Sequence, residues 1–579
     1  MKQDPENFNL LYSRLILDQL FKYGIKNFII SPGLRNAPLM IALKKLDDIH
    51  VSVSIDERAA GYMALGQYKA TGVPSVLICT SGTAMANYYP AIIEAQKTNT
   101  SIIIISADRP KELHNESSNQ TMDQINIFKT LTKSTLNLPI QDQGISLQSS
   151  YTQVERYIRK ALAEEVIHLN FPFREPLDTT QVFISKQLIQ EFHVLINSSP
   201  SRLITKDNSV VKLDKNLYKD KNGLLVIGEL NSHLTNAELE EFRLFIKSCP
   251  WPKILDITTS LKYGFSLEDN NFPSFDHPEV YNAFQDNCPD LVVHLGGKLT
   301  SKKYHEFIYN CQAQIINISQ DKNSEKALSR VNQYISMKPH EFAYHCLKQE
   351  IIFSLRDENY LPAIKALIEP IITTKVTLID DAPLTFPKIS KHIVEVIAEN
   401  SDLYLANSTT IRSFDSYSSF EKKKQIRIMT HRGVSGIEGF LAASLAFHKA
   451  KEKKMPTVLV LGDVSFLHDL NSLNLIKESN ISQNSFVIIL INNFGGGIFT
   501  LVPFKDDHNI MPWMTTPHEY QFDKICETFG IRHDFVFDFE TFENLFTKAL
   551  KRPGPQILEL KVDNKSDLDI YQKLKTVRL

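Results

Sequence analysis

Short runs of aliphatic and β-branched residues alternate along this chain with longer segments of helical periodicity. This alternation is typical of parallel sheets whose strands are joined by crossover helices. The predicted strands fall into three clusters, one in each third of the sequence: Phe28–Ile30, Val51–Ile55, Ser75–Cys79 and Ile102–Ile105; Leu224–Ile227, Ile254–Ile257, Leu291–Leu295 and Ile315–Ile318; Leu403–Leu405, Ile426–Met429, Val458–Leu461, Phe486–Ile491 and Ile557–Val562. We therefore predict an α/β protein with three doubly wound parallel-sheet domains.

Two proline-containing stretches separate these clusters. The first is FPFREPL (171–177), which leads into an irregular polar segment up to Asn222, and the second is Thr373–Pro387. With 579 residues the chain is too long for a single core. We predict domains at residues 1–180, 200–345 and 375–579.

The overall charge and the cysteine pattern exclude several classes of protein. A net charge of −2 provides no general attraction to nucleic acid or to a membrane surface, so any anion must be bound by local basic clusters. The six cysteines include no C-x₂-C pair, and no apolar run is long enough to cross a membrane. The N-terminus also lacks a signal core. We expect a cytoplasmic protein with no membrane span and no nucleic-acid partner.

Several predicted strands end in small or polar residues, namely Ser31–Gly33, Thr80–Thr83, Gly462-Asp463 and Asn492-Asn493. In open α/β sheets, ligands bind beyond the carboxyl ends of the strands. We therefore expect functional residues at these four places.

The pair Gly462-Asp463 and the residue Asn493 follow two successive strands in the last third of the chain. Carboxylate and amide oxygens suit Mg²⁺, and the glycines Gly495–Gly497 permit a close approach of the backbone to a ligand. The alternative interpretation is a helix-capping aspartate and a turn asparagine. The glycines favour the metal site.

Glu57 ends the second predicted strand and begins a helix whose first turn contains small residues. It is either an acid that the helix dipole favours or a buried carboxylate that binds the ring nitrogen of a cofactor. The pattern alone leaves both interpretations open.

Four arginines lie just beyond predicted strands: Arg35, Arg109, Arg412 and Arg432. A single arginine of this kind is usually a solvated surface charge. Four of them, with Lys302 as a further candidate, indicate a multiply anionic substrate, because guanidinium groups bind carboxylates bidentately.

At this point the chain resembles the thiamin-diphosphate enzymes and, among them, the synthases that make 2-succinyl-5-enolpyruvyl-6-hydroxy-3-cyclohexene-1-carboxylate for menaquinone biosynthesis. The matching segments occur in the expected order along the chain: SPGLRNAPL (31–39), SIDERAAGYMALG (54–66), TSGTAMANYYPAIIEA (80–95), ADRP (107–110), NQTMDQ (119–124), FPFREPL (171–177), LTSKKY (299–304), NSTTIRSFD (407–415), HRGVSGIEG (431–439), GDVSFLHDLNSL (462–473) and NNFGGGIFTLVP (492–503). His431 and Glu438 stand where the family more often has Asn and Asp.

The resemblance implies a pyrimidine-binding domain, a central domain and a diphosphate-binding domain. It implies thiamin diphosphate and Mg²⁺, or Mn²⁺ in its place, as cofactors. The implied transferase reaction decarboxylates 2-oxoglutarate and adds the succinyl unit to isochorismate.

The resemblance also assigns roles to individual residues. Glu57 would be catalytic, and Asp463, Asn493 and Gly495 would hold the metal. The cofactor would contact Glu57, Asn407, Gly436, Ile437, Gly462, Asp463, Val464, Ser465, Asn493, Gly495 and Gly496. The substrates would contact Arg35, Arg109, Asn119, Gln120, Lys302, Ser408, Arg412, Arg432, Ile498 and Phe499. For Ile437, Ile498 and Phe499, ordinary core packing is the alternative.

The resemblance further implies a homodimer, or a dimer of dimers, with active sites at the subunit interface. Two other functions stay open from the residues alone. One is a different thiamin-diphosphate enzyme, such as another 2-oxo acid decarboxylase or an acetohydroxyacid synthase. The other is a catalytically inactive α/β binding subunit.

Overall fold

The structure is a computed structural model that describes residues 4–114, 116–132, 134–199, 213–230, 233–320, 328, 330–418, 424–451, 455–478, 484–501 and 509–577. Residues 200–212 of the predicted first joint, residues 502–503 of the last motif and the predicted domain limits at residues 1, 200 and 579 lie outside the described residues. The described residues of 1–207, 432–434 and 441–452 form one compact unit. Those of 208–431, 435–440 and 453–579 form a second unit.

The first unit contains a six-stranded parallel sheet in the order β2-β1-β3-β4-β6-β5. Its strands are β1 (Asn27–Ser31), β2 (His50–Val53), β3 (Ser75–Cys79), β4 (Ile102–Asp108), β5 (Thr135–Asn137) and β6 (Ile167–Pro172). The accompanying helices are α1 (Phe8–Lys22), α2 (Ala37–Leu43), α3 (Glu57–Thr71), α4 (Tyr89–Lys97), α5 (Leu147–Leu162) and α6 (Lys186–Asn197).

The second unit contains two further six-stranded parallel sheets. The middle sheet has the order β12-β11-β10-β7-β8-β9. Its strands are β7 (Gly223–Ile227), β8 (Lys253–Leu255), β9 (Asn271–Phe272), β10 (Leu291–Leu295), β11 (Gln314–Ile318) and β12 (Gln333–Ile335). The helices of this region are α7 (Asn236–Ser248), α8 (Pro278–Asp286), α9 (Lys303–Asn310), α10 (Pro339–Lys348) and α11 (Tyr360–Asp380).

The last sheet repeats the strand order of the first, β14-β13-β15-β16-β18-β17. Its strands are β13 (Asp402–Leu405), β14 (Arg427–Met429), β15 (Thr457–Gly462), β16 (Ser485–Asn492), β17 (Arg532–Val536) and β18 (Gly554–Lys561). The helices are α12 (Phe386–Val396), α13 (Thr409–Tyr417), α14 (Phe440–Ala450), α15 (Asp463–His468), α16 (Leu473–Glu478), α17 (Met511–Thr515), α18 (Asp523–Thr528), α19 (Phe539–Lys551) and α20 (Asn564–Thr576).

The central strands are buried along their whole length, which explains why they are continuous aliphatic runs rather than alternating ones. Every residue of β3, β10 and β16 is buried. Helices cover both faces of such a sheet, so neither face needs polar side chains. The prediction of an α/β protein with three parallel sheets is confirmed.

Each of the thirteen predicted strands is present, with ends that agree to within three residues. The prediction missed β5, β6, β9, β12 and β17. Their sequences are short or carry polar residues, such as His168 and Asn170 inside the buried β6. The predicted second joint is helical over much of its length, because α11 continues to Asp380 and α12 begins at Phe386.

Helix α14 is distant in sequence from the first sheet, but its residues from Leu441 onwards belong to the first unit. Its backbone approaches α3 closely at Gly66. A Cβ atom added to Gly66 would lie 2.0 Å from the carbonyl oxygen of Ala443. Glycine is therefore required at this position by the close approach of two helices.

We predict that Gly66→Ala lowers the thermal unfolding midpoint. In an open helix interior alanine would stabilise, but here the clash with Ala443 dominates and costs about 1–3 kcal/mol. The matched control is Gly264→Ala, where an added Cβ would meet no atom within 4 Å. Equal midpoints for the two variants, measured by calorimetry, would contradict this close approach.

Candidate functional site

The first and last sheets, which share a strand order, each have a topological switch point. At this point the connections that follow two neighbouring strands run in opposite directions along the sheet. In the last sheet this point lies between β13 and β15, which pair directly. Asn407 and Ser408 follow β13, and Asp463 follows β15. Ligands bind at such points in open α/β sheets. The predicted functional residues therefore lie where the topology favours a site.

Asp463 is a buried carboxylate at the carboxyl end of β15, with 2% of its surface exposed. Its Oδ2 atom accepts the backbone N–H of Gly495 at 2.9 Å, and its Oδ1 atom accepts that of Val464 at 2.7 Å. Burial raises the pKa of Asp463, and the Gly495 N–H opposes that rise. Gly462, not Asp463, is the N-cap of α15, so capping does not account for this aspartate.

The loop after β16 folds over Asp463. The Asn493 side-chain nitrogen donates to Asn564 Oδ1 at 2.8 Å, and Asn564 Nδ2 donates to the Asn493 carbonyl oxygen at 2.7 Å. This reciprocal pair turns the amide oxygen of Asn493 away from Asn564. Gly495 has a φ of +136°, and a Cβ there would lie 2.4 Å from the Thr515 carbonyl oxygen. Only glycine fits that turn.

Glu559, on the neighbouring strand β18, supports this loop through a hydrogen bond from Asn492, the residue before Asn493. It is fully buried and accepts hydrogen bonds from Asn492 Nδ2 at 2.7 Å and from the side chain of Lys561. The Oδ1 atom of Asn492 in turn accepts the N–H of Phe494 at 3.1 Å. A buried charge with several partners thus fixes the conformation of the backbone beside Asn493.

The donor atoms at this loop suit a hard divalent cation. In the described residues no group of three or more His, Cys, Asp or Glu side chains could hold a metal ion. The Asp463 carboxylate, the Asn493 amide oxygen and the Gly495 carbonyl are oxygen donors, and Mg²⁺ commonly takes one carboxylate and completes its shell with substrate or cofactor oxygens. These residues fit Mg²⁺, with Asp463 as the anionic ligand.

Asn407 joins two further segments of the predicted cofactor site. Its side-chain nitrogen donates to the carbonyl oxygens of His431 at 2.8 Å and Gly436 at 2.7 Å. His431 Nε2 is 2.7 Å from the hydroxyl of Tyr404 on β13. The segment that carries Ile437 is therefore anchored to the end of β13. Ile437, Ile498 and Phe499 are half-buried rather than fully buried.

Ser408 and Arg412 begin α13, directly after Asn407. The Arg412 guanidinium donates to the Ser408 carbonyl oxygen at 2.7 Å, and Ser408 has a φ of +68°. The other end of α13 is held by loops of the middle sheet. Lys262 Nζ and the Ile257 N–H both reach Asp415 Oδ1, at 2.8 and 3.1 Å.

The middle sheet has its own switch point between β7 and β10, where the loops that follow the two strands meet. A Cβ on Gly228 would lie 2.1 Å from the Gly297 carbonyl oxygen, and the Gly297 N–H donates to Glu229 at 2.8 Å. The described parts of the two loops are thus in direct backbone contact. The contacts of Ile257 and Lys262 with Asp415 support α13.

The first unit brings a second set of predicted residues together. Arg109 donates to the Ser81 hydroxyl and, at 2.9 Å, to the Gln120 carbonyl oxygen. Arg35 donates to the Phe173 carbonyl oxygen at 3.1 Å. Burial lowers the pKa of Arg109, and the charge of Arg35 acts in the same direction. Arg35 and Arg109 thus lie near each other beyond β1, β3 and β4, and Arg35 also forms an ion pair with Glu175 at 3.3 Å.

Glu57 opens α3 in the same unit, while Asp56 caps the helix by accepting the N–H groups of Arg58 and Ala59. Asn87 Nδ2 donates to Glu57 Oε2 at 3.3 Å. Burial raises the pKa of Glu57, and the neighbouring Asp56 charge adds to this effect. Such a carboxyl group can hold or release a proton closer to neutral pH.

Not all predicted residues join these clusters. Lys302 is exposed at the start of α9, and none of the described contacts joins its side chain to Ser408 or Arg412. Asn119 is exposed as well. Arg432 belongs to the first unit, in a segment separate from Ser408 and Arg412.

Several residues that shape the site were not predicted from the sequence. Ser81 and Gln124 lie inside quoted motifs, and the buried Gln124 accepts the Gly82 N–H at 2.7 Å. A charged residue in an otherwise apolar strand is a usable signal for Glu559. For Asn564 there is no local signal, because its partner Asn493 lies 71 residues earlier.

Comparisons with known proteins identify the family. Residues 12–127 match the model of the thiamine pyrophosphate enzyme, N-terminal TPP binding domain, and residues 413–560 match the corresponding C-terminal TPP binding domain. Thiamine pyrophosphate is a synonym of thiamin diphosphate. A protein of Syntrophus aciditrophicus (strain SB) named 2-succinyl-5-enolpyruvyl-6-hydroxy-3-cyclohexene-1-carboxylate synthase is 34% identical, with 99% of each chain covered.

The chain belongs to this synthase family. A synthase of the same name from Chlorobium phaeobacteroides (strain BS1) is 32% identical, with 97% of each chain covered. The structure of the Rhodococcus jostii RHA1 thiamine diphosphate-dependent 4-hydroxybenzoylformate decarboxylase superposes with a TM-score of 0.70. That alignment covers 95% of this chain and 99% of the decarboxylase at 16% identity, which establishes a shared fold. No helix in the described part of the chain is both long and apolar enough to span a membrane.

We predict that Asp463→Asn reduces the Mg²⁺-dependent affinity for thiamin diphosphate at least about tenfold, because it removes the anionic metal ligand. The amide oxygen of an asparagine can still accept the Gly495 N–H, whereas the Val464 N–H loses its acceptor. Calorimetric titration with and without Mg²⁺ measures the effect. The control is Asp469→Asn, a buried carboxylate on the same segment that accepts the Ser472 hydroxyl at 2.8 Å. Equal affinities in the two variants would place the metal elsewhere.

Proposed function

We propose that this chain decarboxylates 2-oxoglutarate and adds the succinyl unit to isochorismate, forming 2-succinyl-5-enolpyruvyl-6-hydroxy-3-cyclohexene-1-carboxylate in menaquinone biosynthesis. The observation that carries the proposal is the 34% identity over 99% of both chains with a synthase of that name. The arrangement of Asp463 and the Asn493–Gly495 loop supports it, because the reaction requires a bound cofactor.

Mg²⁺, or Mn²⁺ in its place, would be held by Asp463, Asn493 and the Gly495 carbonyl. The diphosphate would lie against Gly462, Val464, Ser465 and Gly496, where an added Cβ on Gly462 would meet no atom within 4 Å. When bound, thiamin diphosphate supplies the carbanion chemistry of decarboxylation and carbon–carbon bond formation. Asn407 and Ile437 would support the cofactor from the β13 side.

Glu57 would hold or release a proton at its carboxyl oxygen, facing the ring nitrogen of the cofactor. Its raised pKa supports this role, because burial makes the protonated form more available at neutral pH. Asn87 orients the carboxyl group through its 3.3 Å hydrogen bond.

The arginines would orient the carboxylates of the two substrates and neutralise their charge. The residues proposed for this role are Arg35, Arg109, Asn119, Gln120, Lys302, Ser408, Arg412 and Arg432. Ile498 and Phe499 would line the pocket. Fixing two substrates in a reactive geometry lowers the barrier by several kcal/mol.

We further propose a homodimer, or a dimer of dimers, in which each site combines Glu57 of one chain with Asp463 of its partner. The surface near Glu57 supports this. The edge strand β2 exposes Val51 and Val53, and Ile55 and Leu34 are 73% and 78% exposed. An edge strand with exposed aliphatic side chains is a surface that a partner usually covers.

The product identifies the reaction. We expect mass spectrometry to detect the named adduct only when 2-oxoglutarate, isochorismate, thiamin diphosphate and Mg²⁺ are all present. Rapid release of CO₂ without isochorismate would instead indicate another thiamin-diphosphate decarboxylase. Absence of cofactor binding would indicate an inactive binding subunit.

Mixing two inactive variants tests the shared site. Glu57→Gln and Asp463→Asn chains should each be nearly inactive, but subunit exchange should restore activity to roughly a quarter of that of the unmodified enzyme. Random pairing makes roughly half of the dimers mixed, and each mixed dimer has one intact site. The control mixture combines Glu57→Gln with Glu57→Ala chains, which cannot complement each other.

Native mass spectrometry of the mixture must show mixed dimers. If exchange occurs and activity does not recover, both residues of each site belong to one chain, and the proposed shared site is wrong.

A further inference from the structure

Glu94, on the inner face of α4, holds the segment that follows Arg432. The carboxylate is buried, with 1% of the residue exposed. Its Oε1 atom accepts the N–H of Gly433 and its Oε2 atom accepts the N–H of Val434, both at 2.8 Å. All of these residues belong to the first unit, although Glu94 and Gly433 lie 339 positions apart in the sequence.

Two consecutive backbone N–H groups that point at one side chain require two acceptor atoms. A carboxylate provides them, and the charge strengthens both hydrogen bonds. A glutamine of the same shape has one acceptor oxygen, and its NH₂ group would face the second backbone N–H. The contact is therefore specific for an acid.

The segment is also held sterically. A Cβ on Gly433 would lie 2.8 Å from Lys97 Cβ and 2.9 Å from Glu94 Oε2. The helix that carries Glu94 is itself firmly packed, because a Cβ on Gly61 of α3 would lie 2.7 Å from Ala91 of α4. Glu94 thus projects from a rigid base onto a segment that fits against it closely.

We infer that Glu94 is a positioning residue for Arg432. It fixes the backbone amides of Gly433 and Val434, which directly follow Arg432 in the chain. Arg432 is 8% exposed, so the direction of its guanidinium depends on the backbone conformation at this point. Both carboxylate oxygens of Glu94 bind the chain itself, so Glu94 acts through Arg432 and not on a substrate. The inference rests on the proposed substrate role of Arg432.

The test compares Glu94→Gln, Arg432→Ala and the double variant by the KM of each substrate, kcat and thiamin diphosphate affinity. We expect Glu94→Gln to raise the KM of the same substrate that Arg432→Ala affects, by about tenfold, as for loss of a charged hydrogen bond. Cofactor affinity should stay within twofold. In the Arg432→Ala background, Glu94→Gln should have no additional effect on KM, because the side chain that Glu94 positions is absent.

Hydrogen exchange provides a readout that is independent of activity. The Gly433 and Val434 amides should exchange at least about tenfold faster in Glu94→Gln. The control is Glu165→Gln, the same chemical change in the same unit, where the carboxylate accepts the Ser134 hydroxyl at 3.0 Å. It should alter neither KM nor the exchange of these two amides.

Two different failures can be distinguished. If Arg432→Ala raises a KM but Glu94→Gln does not, or if the two effects add, the positioning role of Glu94 is wrong and the proposed function stands. If Arg432→Ala changes neither KM, Arg432 does not bind a substrate, and the inference falls together with that assignment.

Discussion

The hydrogen bond between the Gly495 amide and the Asp463 carboxylate connects the two strand ends on which the candidate metal site depends. Because β15 and β16 are parallel neighbours, Asp463 and Asn493 emerge at the same edge of the sheet. The N–H of Gly495 compensates part of the cost of burying the Asp463 charge. Glu559 and Asn564 then hold the rest of the loop. A cation would meet a prepared set of oxygen atoms rather than a flexible turn.

The same principle recurs at the candidate substrate residues. The side chains proposed to bind carboxylates lie on segments that are held in place by hydrogen bonds to buried acids. Asp415 on α13 accepts bonds from Ile257 and Lys262, and Glu94 accepts the amides after Arg432. Burial is the main cause that raises the pKa of Asp256 to about 6, and the charge of the nearby Asp415 adds to the rise. The middle sheet is therefore joined to α13 through a buried polar network.

The features that could be predicted from the sequence are those that depend on short-range residue patterns. Aliphatic runs located the central strands, and polar residues after those runs pointed to Asp463, Asn493 and Arg109. The family resemblance added Ser408. Edge strands such as β12 and β17 escaped detection because half-exposed strands carry polar residues that resemble loops. Contacts such as Glu94 with Gly433 could not be predicted, because nothing in either segment specifies a partner more than 300 residues away. Those contacts depend on the complete tertiary structure.

The position of α14 has a consequence for synthesis on the ribosome. The first sheet emerges early, but the Gly66 face of α3 is completed only when the chain around Ala443 becomes available. At roughly 5–20 residues per second, the intervening chain takes tens of seconds to make. Throughout that interval the nascent first unit lacks the helix that approaches Gly66. The close contact between these two helices therefore forms only after most of the chain has been made.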